Sequence, residues 1–178
     1  MRKAAVLYWS HTGNTEKVAL SIHKGLGEGG FDTLIKKVQE AGDVDFYDYD
    51  LVCFGIPSHN WHPPKPADEY LKAKFARYKT EGRIRLTAPG IDGKNALVFC
   101  TYSGPHTGIR EAVPAGRYIG QFFEHLGFLV VDEWYVLSEF HGSEENSTLG
   151  RMGNIKGLPS EQDLKRIEDQ ARLLASRI

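Results

Sequence analysis

The sequence predicts a doubly wound α/β fold, with a five-stranded parallel sheet in the order 2-1-3-4-5 and helices on both faces. Three observations carry this expectation. The largely apolar runs Ala4–Trp9, Leu51–Ile56 and Ala96–Thr101 lack period-two alternation, as strands buried on both sides do. Between them lie stretches whose apolar residues recur every three or four positions, so strands and helices alternate along the chain. The second strand-like segment is rich in lysine, which suits the edge of a sheet.

The first strand, Ala4–Trp9, is followed at once by a Ser/Thr/Gly/Asn cluster and then by a helix with Val18, Ile22 and Leu26 on one face. Gly25, Gly27 and the pair Gly29-Gly30 are expected to stop that helix. Thr33–Val38 reads as the edge strand. Leu51–Ile56 is the third strand, closed by Pro57, and a Pro-rich loop leads into a helix with Ala67, Leu71, Phe75 and Tyr78 inward. Thr80–Lys94, with three glycines and Pro89, reads as surface loop. Ala96–Thr101 is the fourth strand. A helix starting near Pro114 buries Ile119, Phe122, Phe123 and Leu126 and ends before Gly127. Phe128–Leu137 is the fifth strand. A polar loop, Ser138–Leu158, precedes the last helix, which opens on Pro159 and the capping box Ser160-Glu161-Gln162-Asp163 and buries Leu164, Ile167, Ala171 and Leu174.

Composition narrows the function. With 178 residues, 41% hydrophobic and 25% charged, the chain can build one core and is not disordered, so residues 1–178 are expected to form a single domain. Lys and Arg total 22 against 23 Asp and Glu, a net charge of −1, which leaves no basic footprint for nucleic acid. Cys53 and Cys100 lie inside apolar runs and read as buried thiols of a reducing compartment. No stretch is long enough to span a membrane, and Ala4–Trp9 is too short for a signal peptide. A soluble, cytoplasmic protein is expected.

Ligands of such sheets bind beyond the carboxyl ends of the strands, where the strand order reverses. Here that point lies between strands one and three. The first loop, Ser10-His11-Thr12-Gly13-Asn14-Thr15, offers three hydroxyls and the free N–H groups of a helix start, which together make an anion cradle. It lacks the lysine and glycine spacing of a nucleoside triphosphate loop, so a terminal phosphate fits better. The second loop, Pro57-Ser58-His59-Asn60-Trp61-His62-Pro63-Pro64, places an aromatic beside that cradle, and Trp61 can stack on a flat ring. No Cys or carboxylate stands at ligand spacing from His59 and His62, so no metal is expected. The third loop, Thr101-Tyr102-Ser103-Gly104-Pro105-His106-Thr107-Gly108, is rich in N–H donors.

Ser-x-Thr-Gly-Asn-Thr directly after an apolar first strand resembles the FMN phosphate loop of the flavodoxin family. The resemblance extends to Tyr49–Pro57, to Thr101-Tyr102-Ser103-Gly104 and to the last helix entry Gly157–Leu164, and so spans most of the chain. It implies that FMN is the cofactor and that Ser10–Thr15 hold its phosphate. It implies further that the second and third loops sandwich the ring, with Trp61 on one face, Tyr102 on the other, and the third loop at the polar pyrimidine edge. His59 or His106 is expected near that edge.

The resemblance implies an FMN-binding redox protein that carries electrons to a partner protein. An NAD(P)H-dependent FMN oxidoreductase acting on a quinone or similar small acceptor is the alternative, and a non-catalytic binding domain the lesser one. Two features favour the oxidoreductase. The chain is nearly neutral, whereas dedicated carriers use acidity to find basic partners. Between Pro57 and Pro64 there is no glycine to ease a peptide flip beside the ring, and Asn60 is expected to be the only residue there that readily takes a positive φ. Response regulators need an acidic cluster where Trp9-Ser10-His11 stands, and low-molecular-weight phosphatases need a cysteine in the first loop. The oligomeric state stays open, and Ser138–Leu158 borders either the ring side of the site or a dimer contact.

Overall fold

The computed structural model describes residues 1–178. Five parallel strands, β1 (Lys3–Tyr8), β2 (Asp32–Lys37), β3 (Leu51–Pro57), β4 (Asn95–Tyr102) and β5 (Leu129–Leu137), form one sheet in the order β2-β1-β3-β4-β5. Val6 of β1 stands beside Ile35 of β2 and Cys53 of β3, and Phe54 of β3 beside Val98 of β4. Alternate residues of each central strand enter opposite cores, which is why both sets are apolar. Ala5, Leu7, Phe54 and Val98 pack with helices α2 (Lys65–Thr80) and α3 (Val113–His125). Ala4, Val6, Cys53 and Phe99 pack with α1 (Asn14–Glu28) and α5 (Glu161–Ala175). The chain leaves β1 towards one face and β3 towards the other, so a crevice opens between those two strand ends.

Three local expectations are corrected. Gly25 and Gly27 do not stop the first helix; α1 runs through both to Glu28 and is capped by Gly29. A Cβ on Gly25 would lie 2.1 Å from the Glu168 carbonyl oxygen and 2.8 Å from the Ala171 Cβ. Gly25 is therefore where α5 approaches α1, and the close contact outweighs the poor helix propensity of glycine. On α2 the fourth inward residue is Lys74, while Phe75 is only half-buried. The Lys74 Nζ stands over the Phe46 and Tyr70 rings, 5.7 and 5.3 Å from their centroids, and donates to the carbonyls of Gly42 and Val44. A polar/apolar pattern cannot see a lysine whose head finds carbonyls under a loop. Phe122 of α3 is likewise half-buried.

At the start of α5, Ser160 Oγ accepts from Asp163 N at 3.2 Å and Asp163 Oδ2 accepts from Ser160 N at 2.9 Å, the reciprocal pair the sequence signals. Replacing Ser160 with alanine orphans one donor and is expected to cost about 1 kcal/mol in urea unfolding. An unchanged midpoint would show the cap to be redundant.

Candidate functional site: two joined cavities at the strand ends

β1 ends at Tyr8, and Trp9 still donates its N–H to the Gly55 carbonyl at 2.9 Å before the chain leaves the sheet. The first loop then folds on itself. Ser10 Oγ accepts from Gly13 N at 3.1 Å, and Gly13 O accepts from Lys17 N at 3.0 Å. Gly13 has φ 96°, a conformation that costs an L residue about 1–2 kcal/mol, and a Cβ there would meet nothing within 4 Å. The turn leaves the N–H groups of His11, Thr12, Asn14, Thr15 and Glu16 without a protein acceptor. Thr15 is buried, and its Oγ1 lies 2.8 Å from Thr101 Oγ1, which ties the first loop to the third. One hydroxyl hydrogen of that pair makes the bond and the other remains free to donate.

These groups open into a cavity of about 270 Å³ lined by His11, Thr12, Asn14, Thr15, Pro57, Ser58, His59, Thr101, Tyr102 and Ser103, together with residues 138–142. Asn14 is buried and reaches across it, donating from Nδ2 to the Glu139 carbonyl at 3.1 Å, with His141 Nε2 at 3.4 Å. Trp9 holds two further rings at the mouth. His11 stacks parallel to the indole with centroids 6.0 Å apart, and His59 meets it edge-on at 5.6 Å. Burial, and then the proximity of His11, hold His59 below the ordinary histidine range.

A second cavity, of about 390 Å³, adjoins the first through Ser58, Tyr102, Ser103 and Phe140. Asn60, Trp61, Gly104, Pro105, His106, Thr107, Glu111 and Asn146 complete its walls. Trp61 stands over it with 57% of its surface exposed. It is held by a tight turn in which His59 N donates to His62 O at 2.9 Å and His62 N to His59 O at 3.0 Å. Asn60 and Trp61 both have positive φ, 47° and 69°, the signature of a type I′ turn. Asn60 is thus not the only residue of this loop with a positive φ. On the opposite wall the third loop is partly self-satisfied. The Glu111 carboxylate accepts from the N–H groups of His106 and Thr107, leaving those of Ser103 and Gly104 without acceptors. Ser58 Oγ donates to the Glu111 carbonyl and fixes the second loop against this one. Burial pushes the Tyr102 phenol up, so it stays neutral.

Both cysteines are buried in the sheet, Cys100 with its thiol pushed up to about 12, and neither faces these cavities as a nucleophile. A further hollow between β5 and α5 has Arg166 paired with Asp163 in its wall and shares no lining residue with these two cavities.

A sheet in this order, with an anion cradle at its first strand end, matches the flavodoxin family model over residues 6–169. The chain belongs to the flavodoxin family. Membership brings a flavin-binding redox role. Across 100% of this chain and 96% of the other it is 24% identical to a protein named NAD(P)H dehydrogenase (quinone) from Archaeoglobus fulgidus. It is 26% identical to a flavodoxin of Haemophilus influenzae, covering 92% of this chain and 84% of that one. Its fold is that of the oxidised flavodoxin 1 of Bacillus cereus, with a TM-score of 0.67 over 99% of both chains at 15% identity.

Against that family pattern, the two cavities bring together the residues of the three loops except Ser10, Gly13, His62, Pro63, Pro64 and Gly108. Ser10 and Gly13 act through the backbone turn just described. Gly108 lies beneath Met152, 3.1 Å from its Sδ to a Cβ placed there, and lines neither cavity. His59 falls on the cradle side and His106 on the far side. Sequence reasoning missed Phe140, His141 and Asn146. The loop carrying them contains α4 (Glu144–Thr148) and borders both cavities. Its one sequence signal was Phe140-His141-Gly142, an aromatic beside a histidine and a glycine in an otherwise polar stretch. No helix is long and apolar enough to cross a membrane.

Proposed function

We propose that the joined cavities bind FMN, with its phosphate in the Ser10–Thr15 cradle and its ring between Trp61 and Tyr102, and that the protein carries electrons through it. The observation behind this reading is the set of acceptor-free N–H groups at the start of α1. Helix N-termini with orphan donors favour a negatively charged group, and the open space at Gly13 lets backbone approach it closely. Bound FMN supplies a ring that takes up and releases electrons reversibly. This chain's residues do the rest. Ser103 and Gly104 present free N–H groups to the polar edge of the ring, where negative charge develops on reduction. Trp61 shields one face from water while leaving the outer rim open to a partner. Trp9 and the Ser58–Glu111 bond hold the loops in place.

A second reading is that NAD(P)H reduces the flavin and a quinone or similar small molecule takes the electrons. It is favoured by the near-neutral charge and by the full-length match to a relative named for that activity. Mixing the FMN-loaded protein with NADH or NADPH without air separates the two. Flavin absorbance that persists for minutes supports the carrier, and bleaching within seconds supports the oxidoreductase. Protein that takes up no flavin overturns both.

A further inference from the structure

Three histidines from three different loops meet at the cradle-side cavity: His11 after β1, His59 after β3 and His141 after β5. Lysine and arginine are absent from its walls and from those of the adjoining cavity. Of the other ionisable groups nearby, His106 lines only the adjoining cavity, and the carboxylates are engaged elsewhere. Glu139 gives its carboxylate to the Gly157 N–H at 2.9 Å. Glu16, in the first turn of α1, is held by the Tyr8 hydroxyl at 2.7 Å and by Lys37 at 3.2 Å. Glu111 is occupied by the His106 and Thr107 N–H groups, Tyr102 is neutral, and Lys17 lines neither cavity.

A phosphate monoester carries nearly two negative charges above its second pKa, near 6. A helix N-terminus offers only about half an elementary charge. We propose that His11, His59 and His141 supply the missing counter-charge by taking up protons as the phosphate enters. This inference rests on the FMN reading and adds a proton-linked source of affinity to it. Without an anion, burial, and then the proximity of His11, hold the His59 ring below the ordinary histidine range. Asn14 Nδ2 must donate to the Glu139 carbonyl, so its contact with His141 Nε2 makes that nitrogen an acceptor. Protonation of His141 breaks this contact and turns Nε2 into a donor available to the cavity.

The sign follows from the charges. A nearby dianion raises a histidine's pKa, so the added affinity is present below the raised value and disappears as the pH climbs through it. Fluorescence titrations of the full chain with FMN and with riboflavin, at intervals between roughly pH 6.5 and 9, keep the phosphate mostly dianionic throughout. FMN is expected to bind about tenfold or more weakly at pH 9 than at pH 7, while riboflavin binding stays flat. The triple variant His11→Gln, His59→Gln, His141→Gln should lose the FMN slope while its riboflavin binding, at whatever level, stays flat with pH, and its urea unfolding curve reports that the fold is intact. FMN and riboflavin curves that run parallel, or a slope that survives in the triple variant, overturn the proposal while leaving FMN binding itself standing. Failure of either flavin to bind at any pH removes the FMN reading and this inference together.

Discussion

Apo-protein titrated with FMN and with riboflavin is expected to bind FMN at least a hundredfold more tightly. The two ligands differ only in the terminal phosphate, so their ratio isolates the cradle. Hydrogen bonds to a charged group are worth roughly 1.5–3 kcal/mol each, and two of them acting together give on the order of 10²–10⁴ in affinity. The cradle has that many donors to offer. His11, Thr12, Asn14, Thr15 and Glu16 all have N–H groups without protein acceptors, and the Thr12 hydroxyl stands beside them in the same cavity. Thr12→Val removes that hydroxyl without disturbing the backbone and should weaken FMN about tenfold while leaving riboflavin unaffected. Thr15→Val is a different experiment. Its hydroxyl is bonded to Thr101 at 2.8 Å, so the substitution loosens the first loop from the third and should lower stability as well as affinity. Equal affinity for the two flavins would show that the cradle serves something other than the nucleotide phosphate.

Those donors were legible in the sequence because a Ser/Thr/Gly/Asn cluster after a buried strand has few other uses at a switch point. The strand order was legible for a similar reason: apolar runs without alternation demand cover on both faces, and the lysine-rich second strand belongs at an edge. What escaped was set by tertiary partners. Gly25 reads as a helix stop until Glu168 and Ala171 of α5 are seen against it. Lys74 reads as solvent-facing until the carbonyls of Gly42 and Val44 appear beneath its head. His106 and Thr107 read as donors to a ligand until Glu111, four residues beyond Thr107, takes both of their N–H groups. His141 came to the site through Asn14, whose side chain bridges loops separated by more than a hundred residues, and no local pattern encodes such a contact.

Trp61 carries the other large expected effect, and its two consequences have opposite signs. At φ 69° the residue sits where an L side chain costs about 1–2 kcal/mol, in the second central position of a type I′ turn that ordinarily takes glycine. Strain of this kind persists where the surroundings over-determine it, and it concentrates at functional sites. Glycine at this position relieves the backbone and removes the indole together, whereas alanine removes the indole and keeps the strain. Both variants should bind FMN about tenfold more weakly, since an aromatic stack is worth about 0.5–1.5 kcal/mol beyond the area it buries. Both should also relieve the quenching of flavin fluorescence. In urea unfolding of the flavin-free protein, Trp61→Gly should be more stable than Trp61→Ala by about 1 kcal/mol, because only glycine accepts the turn without strain. An affinity unchanged in both variants would assign the ring face to Tyr102 instead. Equal stability of the two would mean that the turn bends freely enough to leave the left-handed region, and that Trp61 is held there by nothing more than its neighbours' packing.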